Sequence, residues 1–156
     1  MHDDDFRRIR FFEAIDHDED LIAIIRGHIY VERQLNELIL LMIPGSDSLL
    51  VRLPFTAKVR ALRELGIISS EESRALAWLA SLRNRFAHSE TTLRATDAQE
   101  ACRSATVMGL NYINDMKVLY HREDTQSVVR FAITGIWADM NYKLDELPKP
   151  TRSLEI

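Results

Sequence analysis

Apolar residues recur at helical spacing along most of this chain, and this periodicity constrains the fold more than any other feature. No segment shows a sustained alternation of polar and apolar residues, as a half-buried strand would. The clearest stripes lie in residues 21–43 and 126–144. They comprise Ile24, Val31, Leu35, Leu38, Ile39 and Met42 in the first segment, and Val129, Ile133, Ile136, Trp137 and Met140 in the second. The pattern predicts an all-α antiparallel bundle.

Start and stop signals divide the chain into about five to six helices. Pro44 and Gly45 end the long segment, and Gly66 is a candidate C-cap. Ser69 with Glu72 fits a capping box, and Thr96 with Gln99 repeats that spacing. The signals predict helices at residues 4–15, 21–43, 54–66, 70–88, 97–120 and 126–144.

The bulk properties indicate one soluble domain. With 156 residues, the chain is long enough for one core, with residues 1–17 as a peripheral N-terminal arm and 146–156 as a tail. The lone cysteine and the lack of a long apolar run predict a cytoplasmic protein without a membrane span. A net charge of −4 argues against non-specific coating of nucleic acid, although a local basic groove is compatible with it.

Metal and cofactor sites have little support in the sequence. The five histidines lack paired ligand spacing, one cysteine cannot build a zinc site, and no glycine-rich phosphate loop is present. We therefore expect no metal and no cofactor. Trp78, Trp137 and Cys102 fall where core side chains are expected.

Three charged or titratable side chains lie inside apolar stripes. His28 and Glu32 occupy the stripe of the long helix, and Arg83 occupies the stripe defined by Leu76, Leu79, Leu82 and Phe86. A buried ion without a partner costs several kcal/mol. We therefore predict that Glu32 and Arg83 pair directly across packed helices, with His28 nearby.

Arg83, Asn84 and His88 form a compact set of groups suited to a phosphodiester. A guanidinium can bind a phosphate with two hydrogen bonds, and an imidazole titrates near neutral pH. Asn84 and His88 share a helix face flanked by Arg85, whereas Arg83 points about 140° away from His88. The groups can meet if the helix ends early, if Arg83 reaches around, or if a second subunit contributes its motif. A structural ion pair and a helix cap are the competing explanation.

The motif resembles the R-x4–6-H signature of the HEPN superfamily, whose helical domains include metal-independent ribonucleases. Glu32 resembles the inward acidic residue of those domains. Residues 55–59, 65–69 and 82–89 are similar, in this order, to segments of the mannitol-operon repressor-like branch. The resemblance covers roughly residues 18–120.

This resemblance implies a HEPN-like bundle that works as a homodimer on RNA. It casts His88 as general acid and base, with Arg83 and Asn84 on the phosphate and with Glu32, His28 and Arg85 in support. Such a metal-independent endoribonuclease would be a toxin or defence component restrained by an antitoxin-like partner. Glu90 stands where one toxin branch has a tyrosine, which weighs against tight RNA binding.

Two other interpretations stay open. The repressor-like branch favours a non-catalytic transcriptional or operon regulator that acts through protein partners. A helix-turn-helix DNA reader across residues 54–80 is the third, but its second helix is rich in alanine and leucine and lacks a basic face.

Overall fold

The computed structural model describes residues 3–43, 45, 49–107 and 124–147, and within these ranges the ordered elements are all helical. Beyond a short 3-10 turn at Leu50–Arg52, they form six α-helices. These are α1 (Asp3–Ile15), α2 (Asp20–Met42), α3 (Phe55–Glu64), α4 (Ser70–His88), α5 (Ala95–Val107) and α6 (Thr125–Glu146). The predicted all-α bundle is confirmed. Residues 108–120 and 148–156, where the sequence predicted a helix end and a tail, lie outside the described ranges.

Helix α2 is the central element, since it packs against α1, α3, α4 and α6. Its predicted apolar stripe is buried from Ile24 to Ile39, but Met42 at the helix end is 39% exposed and does not join the core. All five residues predicted for the stripe of α6 are buried. No helix in the described ranges is long and apolar enough to cross a membrane.

The packing of α2 on α6 depends on a glycine. A Cβ atom at Gly27 would lie 2.6 Å from Cγ2 of Ile133, a fully buried side chain of α6. Gln34 adds a polar link between the same helices, because its Nε2 donates to the carbonyl of Trp137 at 3.0 Å. The absence of a side chain at Gly27 therefore sets how closely these two helices approach.

Capping interactions fix the hairpin formed by α3 and α4. The Ser69 hydroxyl accepts from the Glu72 N–H at 3.0 Å, and the Ser69 N–H donates to Glu72 Oε1 at 2.9 Å, which confirms the predicted capping box. Gly66, at φ 71°, ends α3 in a Schellman turn, with the Ile67 N–H donating to the carbonyl of Leu62 at 2.9 Å.

The start of α5 differs from the prediction. The helix begins at Ala95, so Thr96 lies inside it and cannot cap it. Asp97 instead reaches back, and its Oδ2 accepts from the Arg94 N–H at 2.7 Å. The carboxylate thus satisfies the N–H of the residue that directly precedes the helix, as the third helical residue does in one half of a capping box.

Helix α1 contributes Phe11 and Ile15 to the core. Phe11 is fully buried and stacks on Trp137, with ring centroids 4.5 Å apart. Trp137 and Trp78 are both buried, as predicted for core residues, and Cys102 is half-buried. Phe6, Ile9 and Phe12 on the outer side of α1 stay about half exposed.

We predict that Gly27→Ala destabilises the protein by about 1 kcal/mol. Forcing a methyl group into a packed interface costs about 1–3 kcal/mol, and the gain in helix propensity of about 1 kcal/mol offsets only part of it. Urea denaturation measures the difference. In an Ile133→Ala background, which removes the obstructing methyl, the same change should stabilise the protein. Equal stabilities of wild type and Gly27→Ala would contradict the close approach.

Candidate functional site

The predicted motif occupies the last turns of α4. The helix extends through His88, so the condition that it ends before the histidine is not met. Leu82 and Phe86 hold this part of α4 in the core, whereas Asn84 and His88 are exposed. The amide and the imidazole are therefore presented together on one solvent-facing surface, as their spacing predicted.

Arg83 turns toward that surface. The residue is half-buried, and its Nη1 donates to Oδ1 of Asn84 at 3.2 Å. Because Asn84 shares a face with His88, this contact directs the guanidinium toward the histidine side of the helix. No hydrogen bond or ion pair joins Arg83 to His88 among the described residues, so the geometry corresponds to an arginine that reaches around the helix without contacting the histidine.

The predicted direct pair between Glu32 and Arg83 is wrong. Glu32 Oε1 instead accepts from Lys58 Nζ at 2.8 Å, and the Lys58 side chain is only 3% exposed. Lys58 comes from α3, which packs on both α2 and α4. A buried ammonium without an anion costs more free energy than a half-buried arginine without one, because water still solvates the arginine. Glu32 therefore meets the lysine.

His28 connects these charges. It is 7% exposed, and its ring centroid lies 4.2 Å from that of Phe55 on α3. Burial lowers the pKa of His28, the Glu32 carboxylate raises it, and the Arg83 and Lys58 cations lower it further. The net direction is downward, which favours a neutral imidazole. His28, Glu32, Lys58 and Arg83 thus form one cluster, called here the inner cluster, where α2, α3 and α4 meet.

Lys58 is the member of the inner cluster that sequence reasoning missed. The buried positions of α3 are Phe55, Lys58, Val59 and Leu62. This spacing is that of an apolar helix stripe. Lys58 is the one charged residue in that stripe, so the helical spacing that marks Glu32 and Arg83 as inward-facing marks Lys58 as well.

Arg85 lies apart from the inner cluster. Its Nη2 donates to Oδ1 of Asp97 at 2.6 Å, and the Asp97 side chain is 1% exposed. Its Nε lies 3.7 Å from Oε2 of Glu90, which also pairs with Arg94. Arg85 and Glu90 are thus engaged in joining the end of α4 to the start of α5.

A second titratable cluster lies at the other end of α4. Oε1 of Glu72 accepts from Nζ of Lys143 at 3.0 Å, and the same lysine donates to the carbonyl of Ile67 at 3.1 Å. Burial and the neighbouring Glu72 carboxylate raise the pKa of Asp139 to about 7. Asp139 therefore holds a proton up to near neutral pH, whereas the pKa of Glu72 is lowered. Because Glu72 also closes the capping box, this cluster anchors the start of α4 to α6.

The described side chains include no group of three or more His, Cys, Asp or Glu residues arranged to hold a metal ion. No protein-family model matches the sequence, and neither a curated protein nor a solved structure is similar enough to match.

We predict that substitutions in the inner cluster shift the pKa of His28 in opposite directions. Lys58→Met removes a cation and should raise it, whereas Glu32→Gln removes the anion and should lower it. Titration of the histidine ring followed by NMR measures both. Arg103→Gln, which changes an exposed arginine of α5, is the control and should leave the pKa unchanged. An unchanged pKa in Lys58→Met would contradict the cluster.

We predict that Asp139→Asn flattens the pH dependence of stability. The folded state holds the Asp139 proton up to about pH 7, whereas the unfolded chain loses it near the ordinary aspartate pKa of 3.8. The folded state thus binds more protons between these values, and the free energy of unfolding falls as pH rises through that window. The lowered pKa of Glu72 affects the free energy of unfolding only below the ordinary glutamate pKa of 4.5.

Urea denaturation at the two ends of this window tests the prediction. The asparagine variant should match wild type at the acidic end and exceed it by about 1 kcal/mol above pH 7, a value reduced for partial exposure. Asp145→Asn, at an exposed position of the same helix, should keep the wild-type dependence. A wild-type stability that does not fall as pH rises through this window would count against the raised pKa of Asp139.

Proposed function

We propose that the chain is a HEPN-like domain that binds RNA through Arg83, Asn84 and His88 and cleaves it without a metal. One observation carries this proposal. Glu32, the carboxylate of the inner cluster, is bonded to Lys58. The hydrogen bond that Arg83 makes among the described residues is to the neutral amide of Asn84. The guanidinium therefore keeps donors for an external anion, and a phosphate matches their fork geometry.

The chemistry requires proton transfer at two oxygen atoms. The RNA 2′-hydroxyl gives its proton to a base and attacks the adjacent phosphorus. The P–O5′ bond then breaks, the O5′ atom accepts a proton, and a 2′,3′-cyclic phosphate remains. His88, exposed at the end of α4, suits the role of base or acid. Arg83 suits stabilisation of the charge that develops on the phosphorane oxygens. One chain supplies one His88, so a homodimer would supply the second group.

A non-catalytic regulator is the second candidate, and exposed apolar side chains favour it. Phe6, Ile9 and Phe12 of α1 are 47–52% exposed. On α2, Ile29 and Leu40 are 42% and 49% exposed. Such exposed apolar side chains suit contact with a protein partner. The partner would be a regulatory protein, a restraining antitoxin or a second copy of this chain. In this case Arg83 would bind a phosphate or an acidic side chain without chemistry.

We predict that wild-type protein cleaves mixed single-stranded RNA in EDTA and leaves cyclic-phosphate ends, and that His88→Ala loses the activity. Removal of a general acid or base typically costs about 10²–10⁴ in rate. His17→Ala, in the loop between α1 and α2, is a matched control and should cleave like wild type. Gel analysis of end-labelled RNA and of the product ends reports both properties.

The opposite outcome is equally informative. If folded wild-type protein at micromolar concentration leaves the RNA intact, the catalytic proposal fails. RNA binding measured on the same samples then decides between a binding domain and the protein-directed regulator.

A further inference from the structure

A shallow groove runs between α3 and α4, outside the inner cluster. Its volume is about 150 Å³. Its floor is apolar and its rim carries hydroxyl and guanidinium groups. The residues that line it are Phe55, Thr56, Val59, Arg60 and Arg63 of α3, together with Ser73 and Ala77 of α4.

The α4 wall of this groove leads to the motif. At about 100° per residue, Ser73, Ala77, Asn84 and His88 fall within about 60° of one another on the helix. They therefore lie along one face of α4. At a rise of about 1.5 Å per residue, about 17 Å separates Ala77 from His88 along the helix axis. A ligand lying along this face meets the groove and then the motif.

Phe55 connects the groove to the inner cluster from the α3 side. It lines the groove and also contacts the His28 ring at a centroid distance of 4.2 Å. The groove floor is therefore joined through Phe55 to the inner cluster, to which both helices that form the groove also contribute residues.

The charge of this surface is opposite to that of the whole chain. Arg60 and Arg63 stand on its α3 wall, whereas the chain carries a net charge of −4. Arg60 pairs with Glu64 at 3.1 Å, but both side chains are mainly exposed, at 81% and 66%, so water screens the pair and an incoming anion can replace it. Arg63 has no ion pair among the described residues.

We propose that the α3–α4 groove binds the sugar–phosphate backbone of the single-stranded RNA whose reactive phosphate lies at Arg83 and His88. Arg60 and Arg63 contact backbone phosphates, and Phe55, Val59 and Ala77 lie against the sugars or bases. An apolar floor between cations suits a single strand, because bases and sugars need apolar contact while phosphates need charge. This inference rests on the proposed function and makes recognition depend on strand length more than on sequence.

The test measures binding without cleavage. The probe is a fluorescein-labelled RNA of about ten nucleotides, within the range of single-strand site sizes, with every 2′-hydroxyl methylated so that it cannot react. Fluorescence anisotropy compares wild type with the double variant Arg60→Gln/Arg63→Gln. The charge-matched control is Arg8→Gln/Arg103→Gln, which changes exposed arginines on α1 and α5, outside the groove. Circular dichroism verifies that each variant is folded.

We expect the groove variant to bind about tenfold more weakly than wild type, a loss of about 1.4 kcal/mol, because both arginine contacts are exposed and screened by water. The slope of log affinity against log salt should fall by about 1.4, which is about 0.7 for each lost phosphate contact on a single strand. The control should retain wild-type affinity.

The other outcomes separate the two proposals. If wild type binds and Arg83→Gln abolishes binding while the groove variant binds normally, the groove inference is overturned and the proposed function stands. Equal losses in the groove variant and in the control would also overturn it, because general charge would then explain the binding. If wild type does not bind the probe, the proposed function fails and the groove inference fails with it.

Discussion

The bond between Lys58 and Glu32 organises the centre of this protein. An ammonium that is 3% exposed requires an anion, and Glu32 of α2 is the carboxylate that α3 can reach. The bond therefore joins α3 to the central helix. It also consumes the negative charge that would otherwise neutralise Arg83. The burial of Lys58 on α3 thus leaves the Arg83 guanidinium on α4 without a carboxylate partner among the described residues. The guanidinium turns toward Asn84 and the exposed His88.

The fold was largely predictable, because its signals are local. The apolar stripes of α2 and α6, the capping box at Ser69 and the turn at Gly66 each depend on residues within a few positions of one another. The errors were local as well. Met42 follows the stripe of α2 but lies at the helix end, where the core no longer covers it. Thr96 lies inside α5 because that helix begins at Ala95, before the predicted cap.

The candidate site was predictable only in part, for a different reason. Helical spacing identifies residues that point inward, and it correctly brought His28, Glu32 and Arg83 into one neighbourhood. It does not say which partner each one meets, since that choice depends on which helices pack together. Lys58 and Arg83 both lie near Glu32, and the more buried of the two, Lys58, forms the ion pair with it. The groove between α3 and α4 could not be predicted from the sequence either, because it exists only once the two helices are docked.

The turn at Gly66 has a consequence for how this surface is acquired during folding. Both walls of the groove and the whole motif lie on two consecutive helices that are joined by this one turn. The bond between Lys58 and Glu32 needs a third helix, α2. The shape of the groove is thus a property of the hairpin, whereas the readiness of Arg83 for an anion depends on docking of the hairpin against α2. A nascent chain that has closed the hairpin but not docked α2 would have the groove and lack the arrangement of charges around it.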